Sequence, residues 1–215
     1  MLYIFDWDGT LSQSLDHIVA AIEVAASEQG VAAISLERRL SVIGLGLEEA
    51  FADLFPEADN EQHRLLIDSY RKAYLQLDLE FPSPLFEGVQ DTLEQLLCQG
   101  HELAVATGKA RKGLDRVMDT AEIGHLFRAT RCVDEAKSKP HPLMLHQLLD
   151  LTGYRAEQAV LIGDTDFDLK MANNANILAV GVTYGAHRTE RLLSCRPHTL
   201  IDDIRQLQEV SLQAY

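Results

Sequence analysis

Residues 5–10, FDWDGT, turn an apolar run into two aspartates, a glycine and a threonine. Asp6 and Asp8 stand one residue apart and repel each other, so the pair is a poor end to a strand unless water or a positive charge faces it. Polar groups of the same kind close two other apolar runs. Thr107 and Gly108 end LAVAT at 103–107, and Asp164 and Asp168 follow AVLIG at 159–163. Four carboxylates gathered at one place demand a cation. Hard oxygen donors, with water completing an octahedron, suit Mg²⁺, and such a site commonly also holds a phosphate oxygen. Lys139, in SKPHP at 138–142, offers a further positive charge.

These groups can meet only if the strands that carry them end on one edge. LYIF at 2–5 reads as a strand covered on both faces. From Ser14 to about Tyr74 the pattern is helical: Ser14 can cap a helix carrying Ile18, Val19, Ile22 and Ala26, stopped by Gly30. Ser35 can cap a second, a third carries Leu47, Phe51 and Leu54, and a longer one from near Asn60 turns Leu65, Leu66, Tyr70 and Tyr74 inward. PSP at 82–84 breaks the chain. Helix and strand then alternate, with strands expected at LAVAT, FRAT (127–130), AVLIG and ILAVGV (177–182). The pattern predicts an α/β fold, a Rossmann-like open parallel sheet, with an all-helical insertion after its first strand. In such sheets the carboxyl ends of the strands face one ligand crevice.

The composition fits a globular protein with a proper core: 215 residues, 47% hydrophobic and 24% charged. A formal charge of −14 argues against nucleic acid, which is bound through clustered Lys and Arg. Three scattered cysteines, Cys98, Cys132 and Cys195, with no CxxC pattern fit a reducing compartment. With no apolar run near the length of a membrane span, a cytoplasmic location is expected.

The motifs DWDGT (6–10), ATGK (106–109), KP (139–140) and GDTDFD (163–168) with MANNA (171–175) occur in this order, each at an expected strand end or loop. On these the chain resembles the haloacid dehalogenase superfamily of phosphohydrolases, in its phosphoglycolate-phosphatase-like branch with a small helical cap. The resemblance implies a core of residues 1–13 and 83–215 and a cap of 14–82. It also implies a Mg²⁺-dependent phosphatase acting on a small phosphorylated metabolite. Asp6 would be the nucleophile, forming a phospho-aspartyl intermediate. Mg²⁺ would be held by Asp6, Asp164 and the backbone carbonyl of Asp8, with Asp168 behind them orienting metal waters and Lys139. Asp8 would protonate the leaving alkoxide and then activate water. Gly9 would allow a tight turn toward the phosphate, and Thr10, Thr107, Gly108 and Lys139 would surround the phosphoryl oxygens.

Neighbouring residues are read more plainly. Asp166 is expected as a solvated residue in the first turn of a helix. Lys137 could replace Lys139, but the proline after Lys139 matches the family motif. GLG at 44–46 lacks a preceding strand and is cap loop, and Ile43–Leu47 is the expected face toward the core. His17 reads as a surface or partly packed imidazole, and Met118, Met144 and Met171 as core. The chain departs from the usual pattern at Ser12-Gln13-Ser14, at Glu87-Gly88 and at Asn176, where glycine is common. A β-phosphoglucomutase-like phosphotransferase shares the core motifs, and a receiver-like signalling module also gathers aspartates, Thr and Lys around Mg²⁺. The sequence names neither the substrate nor the oligomeric state.

Overall fold

The computed structural model describes residues 1–211. Among these, six strands form one parallel sheet in the order β3-β2-β1-β4-β5-β6. They are β1 (Leu2–Phe5), β2 (Glu102–Thr107), β3 (Ala129–Cys132), β4 (Ala159–Gly163), β5 (Leu178–Val182) and β6 (Thr199–Ile201). The strand order turns back between β1 and β4, which places the switch point of the sheet between Asp6 and Asp164. Asp6 continues the β1–β4 ladder, its N–H donating to Ile162 O at 2.9 Å.

Alternation along the strands divides the core in two. Tyr3, Phe5, Val105, Val160 and Ile162 pack on one face with Leu93 and Leu96, and with Leu114 and Val117. Leu2, Ile4, Ala104, Ala106 and Leu161 pack on the other with Met144, Leu145, Leu148 and Leu169. Every residue of β1 and β4 is buried, as their unbroken apolar runs require.

Four consecutive helices follow β1: α1 (Leu15–Glu28), α2 (Leu36–Leu40), α3 (Leu47–Leu54) and α4 (Asn60–Glu80). They enclose their own core around Ile22, Phe51, Leu66 and Tyr70. The two passages joining this layer to the sheet run side by side. Gln13 N donates to Pro84 O and Phe86 N to Leu11 O, both at 2.9 Å. The remaining helices are α5 (Val89–Cys98), α6 (Arg111–Ala121), α7 (Leu143–Thr152), α8 (Asp166–Asn174) and α9 (Thr189–Leu193). None of the described helices is long and apolar enough to cross a membrane.

Several expectations shift. The third strand is Ala129–Cys132, not FRAT, because its register against β2 pairs Ala104 with Ala129 and Thr107 with Cys132. On α4, Leu65 is 43% exposed and Ile67 takes its place inside, a difference of helix phase. Ser35 caps α2, accepting from Arg38 N. Ser14 precedes α1, but its side chain makes no cap bond. The left-handed conformation expected of Asn176 is present, at φ 55°.

Candidate active site

Asp6, Asp164, Asp168 and Lys139 are all essentially inaccessible to water. Lys139 Nζ donates to Asp6 Oδ1 at 2.6 Å and lies 2.7 Å from Asp168 Oδ1. Lys137 is exposed, so the neighbouring lysine is not the one at the site. Asp168 is fixed from both sides. Its Oδ2 accepts the Thr165 hydroxyl at 2.6 Å and the Thr165 N–H at 3.2 Å, closing a reciprocal cap on α8. Asp164 accepts from Thr10 Oγ1 at 3.0 Å and from Ala186 N at 2.7 Å, so the segment after β5 also holds the site.

The remaining oxygen of Asp6, Oδ2, is buried with no hydrogen-bond partner. Burial pushes the Asp6 carboxyl up to about 7, with Lys139 pulling the other way and Asp168 and Asp8 adding to the rise. Asp164 is raised well above the carboxylate range, by burial first and then by Asp6 and Asp168. One carboxylate oxygen from each of Asp6, Asp164 and Asp168 lies within 4.8 Å of the others. With all three ionised the cluster carries three negative charges against the one positive charge of Lys139. The deficit of two is the charge of a divalent cation, and an all-oxygen donor set with an orphaned buried oxygen fits a hard one.

Asp8 is held apart from this cluster. Lys109 Nζ lies 2.9 Å from Asp8 Oδ1, and the Ser14 hydroxyl donates to the same oxygen. The hydroxyl that was expected to cap α1 thus serves the carboxylate instead. Lys109 also donates to Tyr74 Oη at 2.9 Å, on α4. Burial acts to lower the Lys109 ammonium, but Asp8 and the tyrosines outweigh it and hold it above the ordinary lysine range. Lys109 stands within ATGK, where sequence reasoning gave it no role. Its place after the β2 strand end was the only signal.

The same chain is similar to known proteins over nearly its whole length. The model of the haloacid dehalogenase-like hydrolases matches residues 3–182. The chain belongs to this family. The phosphoglycolate phosphatase of Vibrio cholerae is 30% identical over 98% of this chain and 96% of its own. That of Aliivibrio fischeri is 29% identical over 97% and 95%. A haloacid dehalogenase-like family hydrolase of Streptococcus pneumoniae superimposes with a TM-score of 0.84 at 26% identity, over 97% of this chain and 96% of that one.

In this haloacid dehalogenase-like chain the glycines and threonines of the motifs have distinct placements. Gly9 has φ 78°, and a Cβ there would lie 2.3 Å from Asp164 Oδ2, so both conformation and space demand glycine. Its N–H is spent on Ser12 O at 2.9 Å. The Thr10 hydroxyl serves Asp164 rather than facing the cavity. Thr107 Oγ1 accepts from Lys109 N at 3.1 Å and keeps its own proton to donate. Gly108 lies against the loop at 43–47, where a Cβ would come within 2.8 Å of Leu45 O and 3.0 Å of Gly44 O. Gly46 N, from the same loop, donates to Ser138 Oγ at 2.8 Å, beside Lys139. The loop meets the sheet edge as expected.

Asp166 corrects its expectation. It is buried, and Lys170, Arg191 and His187 surround it. A carboxylate at the start of α8 was read as solvated because the partners Arg191 and His187 arrive from a distant segment.

Between the helical layer and the sheet edge lies a cavity of about 650 Å³. Asp6 and Asp8 form its floor together with Gly108 and Lys109, and the helices supply its walls.

Proposed function

We propose that this hydrolase removes the phosphoryl group from a small organic phosphate monoester, through a covalent intermediate on Asp6 and with Mg²⁺ as its metal. The observation that carries the reading is the contrast between two neighbouring aspartates. Asp6 is anchored through one oxygen by Lys139 and keeps the other buried and unpartnered. Asp8, two residues on and just before the turn at Gly9, has its own cation in Lys109 and stays clear of the three-carboxylate cluster.

Asp6, Asp164 and the backbone carbonyl of Asp8 would hold Mg²⁺, which would neutralise charge on the nucleophile and on the phosphoryl oxygens. The Asp6 carboxylate attacks phosphorus as the bond to the ester oxygen breaks. Asp8 gives a proton to the departing alkoxide, then takes one from the water that attacks the phospho-aspartate and frees Asp6. Lys139 keeps the Asp6 carboxylate aimed and offsets its charge. Asp168 positions that lysine. Thr107 offers its hydroxyl proton to a phosphoryl oxygen, and Gly108 brings backbone close to it. The helical layer covers the cavity and excludes water while the phosphoryl group moves.

The substrate is accordingly a phosphorylated metabolite, which the net charge of −14 favours over nucleic acid. The free thiols Cys98, Cys132 and Cys195 support a cytoplasmic setting. Acid quenching during turnover of phenyl phosphate with Mg²⁺ tests the chemistry. A peptide carrying Asp6 gains one phosphoryl group in the wild type and none in Asp6→Asn, whose turnover falls roughly 10⁴-fold or more. Phosphate release at the wild-type rate by Asp6→Asn would sink the assignment.

A further inference from the structure

The geometry points to a leaving group that is an uncharged alcohol with an apolar, ring-sized body, rather than a short hydroxy acid. This rests on the phosphatase reading above and concerns what lies beyond the phosphoryl group. The cavity walls are Ile18, Ile22, Val42 and Ile43 with Phe51, Tyr70 and Tyr74, all buried. The aromatic residues form a continuous wall. Phe51 meets Tyr70 edge-on at 5.5 Å between ring centroids, and Tyr70 stacks on Tyr74 at 5.9 Å. Burial holds the Tyr70 hydroxyl neutral.

A hydroxy acid ester would bring a carboxylate two or three bonds from the phosphoryl oxygen, so a cation must wait on the walls close to Asp8. Of the four cations that line the cavity, two are engaged by buried carboxylates and two are exposed. Lys109 is held between Asp8 Oδ1 and the Tyr74 hydroxyl, each at 2.9 Å. Arg116 is committed to the buried Asp78 through two nitrogens, at 2.8 and 3.0 Å. Arg71 and Lys112 also line the cavity, and both are exposed. A carboxylate near the floor would therefore be desolvated among aliphatic and aromatic carbon, beside cations already paired with carboxylates. At about 650 Å³ the cavity also falls in the range that encloses a ring-bearing ligand. A two-carbon acid would leave most of the apolar wall uncovered. A planar ring can lie along the Phe51–Tyr70–Tyr74 wall and convert its burial into differential binding.

The test is a comparison of kcat/KM for benzyl phosphate, ethyl phosphate and 2-phosphoglycolate with the Mg²⁺-loaded enzyme. The first two leave as simple primary alcohols and differ chiefly in the apolar body. Benzyl phosphate is expected to exceed ethyl phosphate by about tenfold or more, and 2-phosphoglycolate to fall below both. Leu47→Arg places a cation on the half-buried part of the wall and should lower the benzyl-to-phosphoglycolate ratio about tenfold, whereas Leu47→Met should keep the ranking. Preference for 2-phosphoglycolate over benzyl phosphate in the wild type overturns the inference and leaves the phosphatase reading standing. Hydrolysis of none of the three, nor of phenyl phosphate, overturns the phosphatase reading and the inference with it.

Discussion

Lys109 Nζ stands 2.9 Å from Asp8 Oδ1 and, through the same atom, 2.9 Å from the hydroxyl of Tyr74. One ammonium thus joins the carboxylate proposed as the general acid to the longest helix of the inserted layer. Both members of the pair are largely buried, so its loss is felt as an uncompensated charge rather than as a missing surface contact.

Lys109→Met should accordingly lower unfolding stability by roughly 3 kcal/mol and reduce kcat at least about tenfold. Tyr74→Phe removes only the hydroxyl contact and should cost about 1 kcal/mol. Denaturant melts and steady-state kinetics on the two variants check this. Equal effects would mean that the tyrosine contact, not the Asp8 pair, is what Lys109 provides.

The buried carboxylates make stability depend on pH and on the cation. Asp6 is raised to about 7 and Asp164 is raised as well, so without metal the folded state binds protons that the unfolded chain has already released. Their contribution is therefore most favourable below about pH 4 and is lost as pH climbs toward 7. For the metal-free protein this term lowers Tm at neutral pH, and Asp6→Asn should raise Tm at pH 7.5. Mg²⁺ should raise Tm more at pH 7.5 than at pH 5, where protons compete for the same oxygens. Calorimetry in chelator and in Mg²⁺ at both pH values measures it; a Mg²⁺ effect that was larger at pH 5 would contradict the cluster as the binding site.

Gly108→Ala tests the contact between the loop at 43–47 and the strand end. The added Cβ would lie 2.8 Å from Leu45 O, closer than side-chain carbon stands to oxygen in real structures. The loop must move outward, so kcat/KM should fall at least tenfold while Tm drops only a few degrees. Wild-type kinetics in this variant would show that the loop is free to yield without disturbing the cavity.

Asp166→Asn separates a structural carboxylate from the reactive ones beside it. Burial tends to raise Asp166, but hydrogen bonds from His187, Lys170 and Arg191 outweigh it and hold the carboxyl below the usual range. Such a group stabilises the fold above about pH 4, and its contribution is lost as pH falls through the depressed folded value. At pH 7 the variant should lose roughly 2 kcal/mol, seen as a Tm lower by about 5 °C, with kcat within a few-fold of wild type. The deficit should shrink as pH is lowered. A variant with intact Tm but abolished turnover would place Asp166 in the chemistry.

By itself the sequence determined the α/β architecture with its helical insertion and the strand ends that carry Asp6, Asp8, Thr107 and Asp164. Those features are local. A buried strand must be an unbroken apolar run, and a polar group just beyond it is then fixed to the strand's carboxyl end whatever packs around it. The resemblance alone favours Lys139 over Lys137, since the proline after Lys139 matches the family motif, and it is Lys139 that lies buried against Asp6. The tertiary structure alone decided what depends on residues far apart in the chain. Ser14 turned from helix cap to partner of Asp8, because that carboxylate lies closer to its hydroxyl than a free amide does in the fold. Asp166 became buried only once Arg191 and His187 reached it from beyond β5. The choice between Leu65 and Ile67 on α4 rested on how that helix rolled against α1, since both lie on the same apolar stretch. Lys109 gained its place from Tyr74, 35 residues away, and a lysine's reach gives no sign in sequence of which carboxylate or hydroxyl it will find.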